Sequence, residues 1–211
     1  LSHKAPPIDA EKYETICDAS ALQKWIDSVY SRGYVAIDTE TTGLNDMRAD
    51  LVGISLCIEA GSAAYLPLRH RDGEVDDLFA TDRLIEGQMD QTDALGMLKP
   101  MLEDPAIMKI GQNMKYDAKI LARVGIKINP IDDTMLISYA QNGGLHNHGM
   151  NFLSERYLDH VPIPIKTLLG TGKSAITFDS VPIDEATRYA AEDADITLRL
   201  WQNLKPKLHL K

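Results

Sequence analysis

Between residues 20 and 30 the apolar positions Ala21, Leu22, Trp25, Ile26 and Val29 recur at helical spacing behind Ser20, a residue suited to capping. This predicts a helix to about Tyr30, with Gly33 ending the connection. The period then changes. Tyr34 to Asp38 is almost continuously apolar, as in a strand covered on both faces. Leu51 to Glu59 and Ala63 to Leu68 predict two more strands, joined by an Ala60-Gly61-Ser62 turn. Arg69 to Asp90 is polar and acidic and reads as a loop. Further on, helices are predicted over Thr92 to Leu102, Asn113 to Val124 (closed by Gly125), Met135 to Ala140 and Asn151 to Tyr157. Short strands are expected at Ile107 to Ile110 and within Ile128 to Thr134, and a loop at Gln141 to Met150. A Pro-rich stretch runs through Ile165, and a final long helix starts at Ile183 or Asp184 and reaches about Leu204. Three hairpin-like strands followed by strands alternating with helices predict an α/β fold, a central mixed β-sheet flanked by helices. Sites in such sheets gather at strand ends.

A length of 211 residues suits one substantial domain. Leu1 to Asp9, with Pro6-Pro7, reads as an extended lead-in, so residues 1–18 are expected to be a linker and 19–211 the domain. The missing initiator Met suggests an excised fragment. No run approaches the roughly 18 consecutive apolar residues of a membrane span, and no signal pattern opens the chain, so a cytoplasmic protein with no membrane partner is expected. Cys17 and Cys57 stand outside any metal-type spacing and are expected to be buried free thiols. The net charge of −9 is the wrong sign for holding duplex DNA by Lys and Arg. It leaves room for a nuclease, because divalent metals neutralise clustered carboxylates.

Candidate chemistry begins at the first strand. Asp38 and Glu40 are one residue apart and would project to the same face. Like charges held that close resist burial unless a cation neutralises them, and hard oxygen donors suit Mg²⁺ or Mn²⁺. A strand running into a polar turn remains the other reading of Asp38 to Gly43. In the last helix, Ala190, Ala191, Ala194, Leu198 and Trp201 form an apolar arc, whereas Glu192, Asp195 and Arg199 form the expected solvent face. Asp193 belongs to neither arc and stands one turn after Tyr189, which makes it a candidate ligand; pairing with an Arg or a backbone cap is the alternative. Asp117 lies four residues after Asn113, a possible cap of its helix. The Gly170 to Ser174 segment lacks the first glycine of a phosphate loop and is set aside. His146 and His148 read as surface-loop histidines, and Asp76-Asp77 as a solvated loop.

Together, Asp38-x-Glu40, Asp117 and Tyr189-x-x-x-Asp193 resemble the DEDD exonuclease superfamily, which has a ribonuclease H-like fold. Arg188 stands where the histidine branch would carry its His, and Tyr189 identifies the tyrosine branch. The segments Gly111 to Asp117, Asp132 to Leu136, Gly172-Lys173 before Thr177-Phe178, and Arg188 to Asp195 resemble the proofreading domains of bacterial family A DNA polymerases, over most of the chain from about Ala19 to Leu204. The resemblance implies a 3′→5′ exonuclease working by two-metal phosphodiester hydrolysis with Mg²⁺ or Mn²⁺. It implies that Asp38, Glu40 and Asp193 hold the metal that generates hydroxide, that Asp38 bridges to a second metal held by Asp117, and that Tyr189 orients the attacking water. Thr41, Leu44 and Asn113 would bind the 3′-terminal nucleotides. The implied partners are a single-stranded DNA 3′ end, a nucleoside monophosphate product and a polymerase domain of the same parent chain, with the protein a monomer. A free-standing RNA-processing exonuclease similar to ribonuclease D, and a non-catalytic module on the same fold, are the alternatives.

Overall fold

The computed structural model describes residues 6–71 and 84–210. Its elements in chain order are β1 (Glu14–Thr15), α1 (Ala19–Arg32), β2 (Tyr34–Thr41), β3 (Leu51–Glu59), β4 (Ser62–Pro67), α2 (Gln91–Glu103), β5 (Met108–Gly111), α3 (Lys115–Arg123), β6 (Ile131–Asp133), α4 (Thr134–Asn142), α5 (Met150–Leu158), α6 (Ile165–Leu169) and α7 (Ile183–Leu204). The strands form a six-stranded sheet in the order β1-β4-β3-β2-β5-β6. β2, β3 and β4 make an antiparallel meander, β5 and β6 continue it in parallel with β2, and β1 lies parallel to β4. This is the mixed sheet flanked by helices that the pattern predicts.

Boundaries shift for local reasons. Asp18, not Ser20, caps α1: its carboxylate accepts the Ala21 amide at 2.8 Å, which places Ser20 inside the first turn. Gly33 ends that helix at φ 76°, in the left-handed region that glycine enters without a Cβ clash. β2 runs on to Thr41, so Asp38 and Glu40 lie within the strand and not in a turn. The expected loop at Asp76-Asp77, and residues 72–83 generally, lie outside the described residues.

The sheet separates two cores. Val35 and Ile37 of β2 face a large apolar cluster with Leu22, Val29, Leu98 and Leu121 from α1, α2 and α3. Ala36, on the opposite face, packs with Cys57, Ala63 and Ile110 against Ala191, Ala194 and Leu198 of α7. Small residues on both sides let the helix backbone approach the strands closely. Asp38 and Glu40 share parity with Ala36 and therefore face α7.

Two expectations about exposure fail. Glu192, Asp195 and Arg199 are buried, not solvated. Asp195 holds Arg199 in a two-pronged ion pair at 2.8 and 3.1 Å and accepts from the Tyr13 hydroxyl and the Gly61 amide. Glu192 accepts from the Ile163 amide at 2.7 Å and pairs with His160 at 2.9 Å. Chain from residues 6–15, the β3–β4 turn and the segment after α5 cover the face that helical periodicity leaves to water. Cys57 is buried as expected, but Cys17 is exposed, because it lies in the short connection before α1. Among the described residues no helix is long and apolar enough to cross a membrane.

Candidate functional site

The face of β2 that looks at α7 carries the first two site residues, and the middle of α7 carries the third. Carboxylate oxygens of Asp38, Glu40 and Asp193 lie within 4.8 Å of one another. Glu40 and Asp193 are buried, and Glu40 Oε1 has no hydrogen-bond partner among the described residues. Three carboxylates at this spacing repel strongly in a low-dielectric setting. Burial, followed by the charges of Asp117, Glu40 and Asp193, pushes the Asp38 carboxyl well above the usual range. Burial, then Asp193 and Asp117, does the same to Glu40. Burial raises Asp193 to about 7, although a hydrogen bond from Tyr189 opposes the shift. An all-oxygen donor set with an orphaned buried oxygen and like charges held together suits a hard divalent cation.

Asp117 stands at the side of this group. β2 pairs with β5 only over Tyr34 to Ala36, so farther along the strand the Thr39 amide has no β5 partner. Asp117, in the first turn of α3, accepts that amide at 3.0 Å and the Thr39 hydroxyl at 2.5 Å, both through Oδ1. The carboxylate is thereby fixed on the residue between Asp38 and Glu40. Burial raises its pKa to about 6 against those hydrogen bonds. Tyr189 lies one turn before Asp193 on α7, and burial together with Asp193, Glu40 and Asp38 pushes its phenol strongly upward, so it stays protonated.

The expected nucleotide contacts lie around the end of β2. A bulge between Glu40 and Thr41 redirects the chain there, a common device beside functional sites. Thr41 Oγ1 is 2.6 Å from the Tyr116 hydroxyl, and that hydroxyl donates to Gly43 O at 2.6 Å. Lys119 pairs with Asp46 at 2.6 Å, and Arg123 donates to Ala49 O, so α3 holds the following loop from below. Leu44, at the loop tip, is 98% exposed, which leaves its whole side chain available to a ligand. Asn113 is exposed and adopts φ 60°, a conformation Asn tolerates better than most side chains. It does not cap the helix: α3 begins at Lys115 without a side-chain cap.

Asp133 takes that part, and it was absent from the expected site. One oxygen accepts the Asn113 amide at 3.1 Å and the other the Met114 amide at 2.9 Å. The same carboxylate caps α4 by accepting from Met135 at 2.9 Å. It fixes the turn bearing Asn113 to the neighbouring parallel strand. An Asp two residues before a predicted helix was the available signal. His146 and His148 are half-buried; Nδ1 of His148 lies 2.9 Å from Ser138 Oγ, its ring meets Tyr139 edge-on, and the His146 ring stacks on Phe152.

A family model described as 3′-5′ exonuclease matches residues 13–209. Over 96% of its length the chain is 49% identical to DNA polymerase I of Rhizobium leguminosarum and 38% identical to that of Pseudomonas aeruginosa. It covers 21% and 22% of those proteins, about a fifth of the length of the curated relatives it matches. Among solved structures, Escherichia coli RNase D, an exoribonuclease involved in structured RNA processing, shares the fold with TM-score 0.67 at 20% identity, over 94% of this chain and 45% of that one.

Proposed function

Since the chain belongs to the 3′-5′ exonuclease domain family of DNA polymerase I, we propose that it removes nucleotides one at a time from single-stranded or frayed DNA 3′ ends. In this reading it serves as the proofreading module of a bacterial cytoplasmic DNA polymerase I and works beside a polymerase domain of its parent chain. The observation that carries the chemistry is the convergence of Asp38, Glu40 and Asp193 with a buried, unpartnered Glu40 oxygen.

Asp38, Glu40 and Asp193 would hold one Mg²⁺ or Mn²⁺, and Asp117, through the oxygen not used by Thr39, would help hold a second. When bound, such ions neutralise the carboxylates, acidify water and offset charge on the attacking and leaving oxygens. The protein's own groups do the rest. Tyr189, kept protonated, orients the attacking water through its hydroxyl, a positioning task that needs no titration. Thr39 keeps Asp117 from swinging away from β2. Thr41 and Leu44 receive the terminal nucleotide, Leu44 by apolar contact with a base, and Asn113 lies along the departing strand. Water attacks phosphorus, the bond to the 3′ oxygen of the preceding nucleotide breaks, and a nucleoside monophosphate leaves.

A 5′-labelled single strand with Mg²⁺ or Mn²⁺ tests this directly. Stepwise shortening is expected with the wild type and a loss of at least ~10³-fold with Asp38→Ala plus Glu40→Ala, as for removal of metal-centred stabilisation. Equal shortening by both proteins rejects the assignment. A matched RNA strand run alongside distinguishes the two polymer classes, with DNA the faster substrate expected.

A further inference from the structure

Beside Glu40 the sheet contains a void that a side chain from another strand fills. Glu40 pairs in register with Gly53 on β3, and directly opposed residues share a face with Cβ atoms about 4.5–5.5 Å apart. A Cβ on Gly53 would lie 2.1 Å from the hydroxyl oxygen of Tyr65. Tyr65, on β4, therefore reaches across β3 and puts its hydroxyl where the cross-strand neighbour of Glu40 would be, roughly 5 Å from the Glu40 Cβ. Glu40 Oε1 is itself buried without a hydrogen-bond partner among the described residues. A phenol beside an orphaned carboxylate oxygen would ordinarily donate to it, yet Tyr65 is engaged elsewhere: its hydroxyl lies 2.8 Å from Nε2 of His70.

The direction of that bond follows from the other ring nitrogen. Nδ1 of His70 is 2.9 Å from the Val181 carbonyl oxygen, which only accepts, so Nδ1 carries the hydrogen. The ring is fully buried, and burial lowers its pKa, which keeps it neutral. A neutral imidazole with hydrogen on Nδ1 presents Nε2 as an acceptor, and the Tyr65 proton must point to it. Gln88 brackets the His70 backbone at 2.7 and 2.9 Å, and Phe178 closes over Tyr65, His70 and Tyr189 with ring centroids 5.9–6.5 Å away.

We propose that His70 is a positioning residue for the cation site: by accepting the Tyr65 hydroxyl's hydrogen bond it turns that O–H away from Glu40 and leaves the carboxylate free for the metal. This rests on the reading of Glu40 as a metal ligand. Val181 stands just before α7, so the same imidazole also ties the Glu40 side of the sheet to the helix that bears Tyr189 and Asp193.

Calorimetric titration of Mn²⁺ into the metal-free full chain, with the Mn²⁺ dependence of single-strand hydrolysis, tests the proposal. His70→Asn keeps a donor for Val181 but removes the Nε2 acceptor. It should weaken Mn²⁺ binding about tenfold or more, the scale of one hydrogen bond to a charged group, and leave kcat at saturating Mn²⁺ near wild type. His70→Gln, which restores an acceptor, should recover most of the affinity. Tyr65→Phe alone, and combined with His70→Asn, should bind Mn²⁺ like wild type. Wild-type affinity in His70→Asn, or a double variant as weak as His70→Asn, overturns the proposal. Should His70→Asn not fold, Tyr65→Phe decides: unchanged binding supports the proposal, and weakened binding means the hydroxyl serves Glu40 directly and overturns it. Asp38→Ala tests the underlying site separately; Mn²⁺ bound at wild-type strength there would reject the metal reading whatever the His70 series gives.

Discussion

Asp193 and Asp117, with pKa values raised to about 7 and about 6, make the metal-free protein oppose its own charge. A carboxyl whose folded pKa exceeds the unfolded value of about 3.8 binds more protons folded than unfolded. Its contribution to stability is whole below the unfolded pKa and is lost as pH climbs through the folded one. In EDTA, stability should therefore fall between about pH 4 and pH 7, by on the order of a few kcal/mol for the pair. His70, neutral and buried, works in the opposite sense just below its ordinary pKa, but it is one group against a cluster. Thermal melts at pH 5 to 8 check this: Mg²⁺ should raise Tm more at pH 8 than at pH 5, and Asp193→Asn should flatten the EDTA profile. A Tm that rises with pH in EDTA across this range would contradict it. At this scale much was legible in advance. Strand parity alone puts Asp38 and Glu40 on one face, and helix phase alone takes Asp193 off the apolar arc. Asp133 was missed because its partners are backbone amides of another segment, and the Tyr65–His70 pair because no local pattern tells a buried imidazole from an exposed one.

α7 shows how far reading an element by itself carries. Its limits and apolar arc follow from periodicity, but its supposed solvent face is buried, since periodicity describes a helix alone and not what folds over it. The Asp195–Arg199 pair is consequently an interior ion pair that also holds the Pro6 carbonyl and the Tyr13 hydroxyl. Breaking one partner leaves the other charge buried and uncompensated. Asp195→Ala should cost about 3–5 kcal/mol, measured by urea unfolding, and should speed proteolysis before Glu14. A change within experimental error would show that face to be as wet as its sequence suggests. The sheet was predicted more completely, because strands buried on both faces announce themselves as apolar runs. β1 was not: two residues long, it is held by pairing with β4 and by no pattern of its own.

For the whole molecule, a net charge of −9 limits how a polyanion is held. On the proposed reading, contacts through metal ions, Leu44 and a few terminal nucleotides would neutralise few phosphates with protein cations. Binding of a single strand should accordingly be weak, require Mg²⁺, and depend on salt with a log–log slope of only about −1 to −2. Fluorescence anisotropy between low and moderate salt measures it in an inactive Asp117→Ala background. A steep slope, or tight binding of blunt duplex in EDTA, would contradict this and point to a basic groove that holds phosphates directly.

Asp38 and Glu40, Asp117, and Asp193 come from three elements that only the finished sheet brings together. On the proposed reading, an unfolded or half-made chain would hold the same carboxylates but no chelate, and so no means of cutting a strand. Nuclease action would then be gated by assembly: a polypeptide that has not yet added α7 to the sheet would be harmless to the strands around it, and one that misfolds would disarm itself.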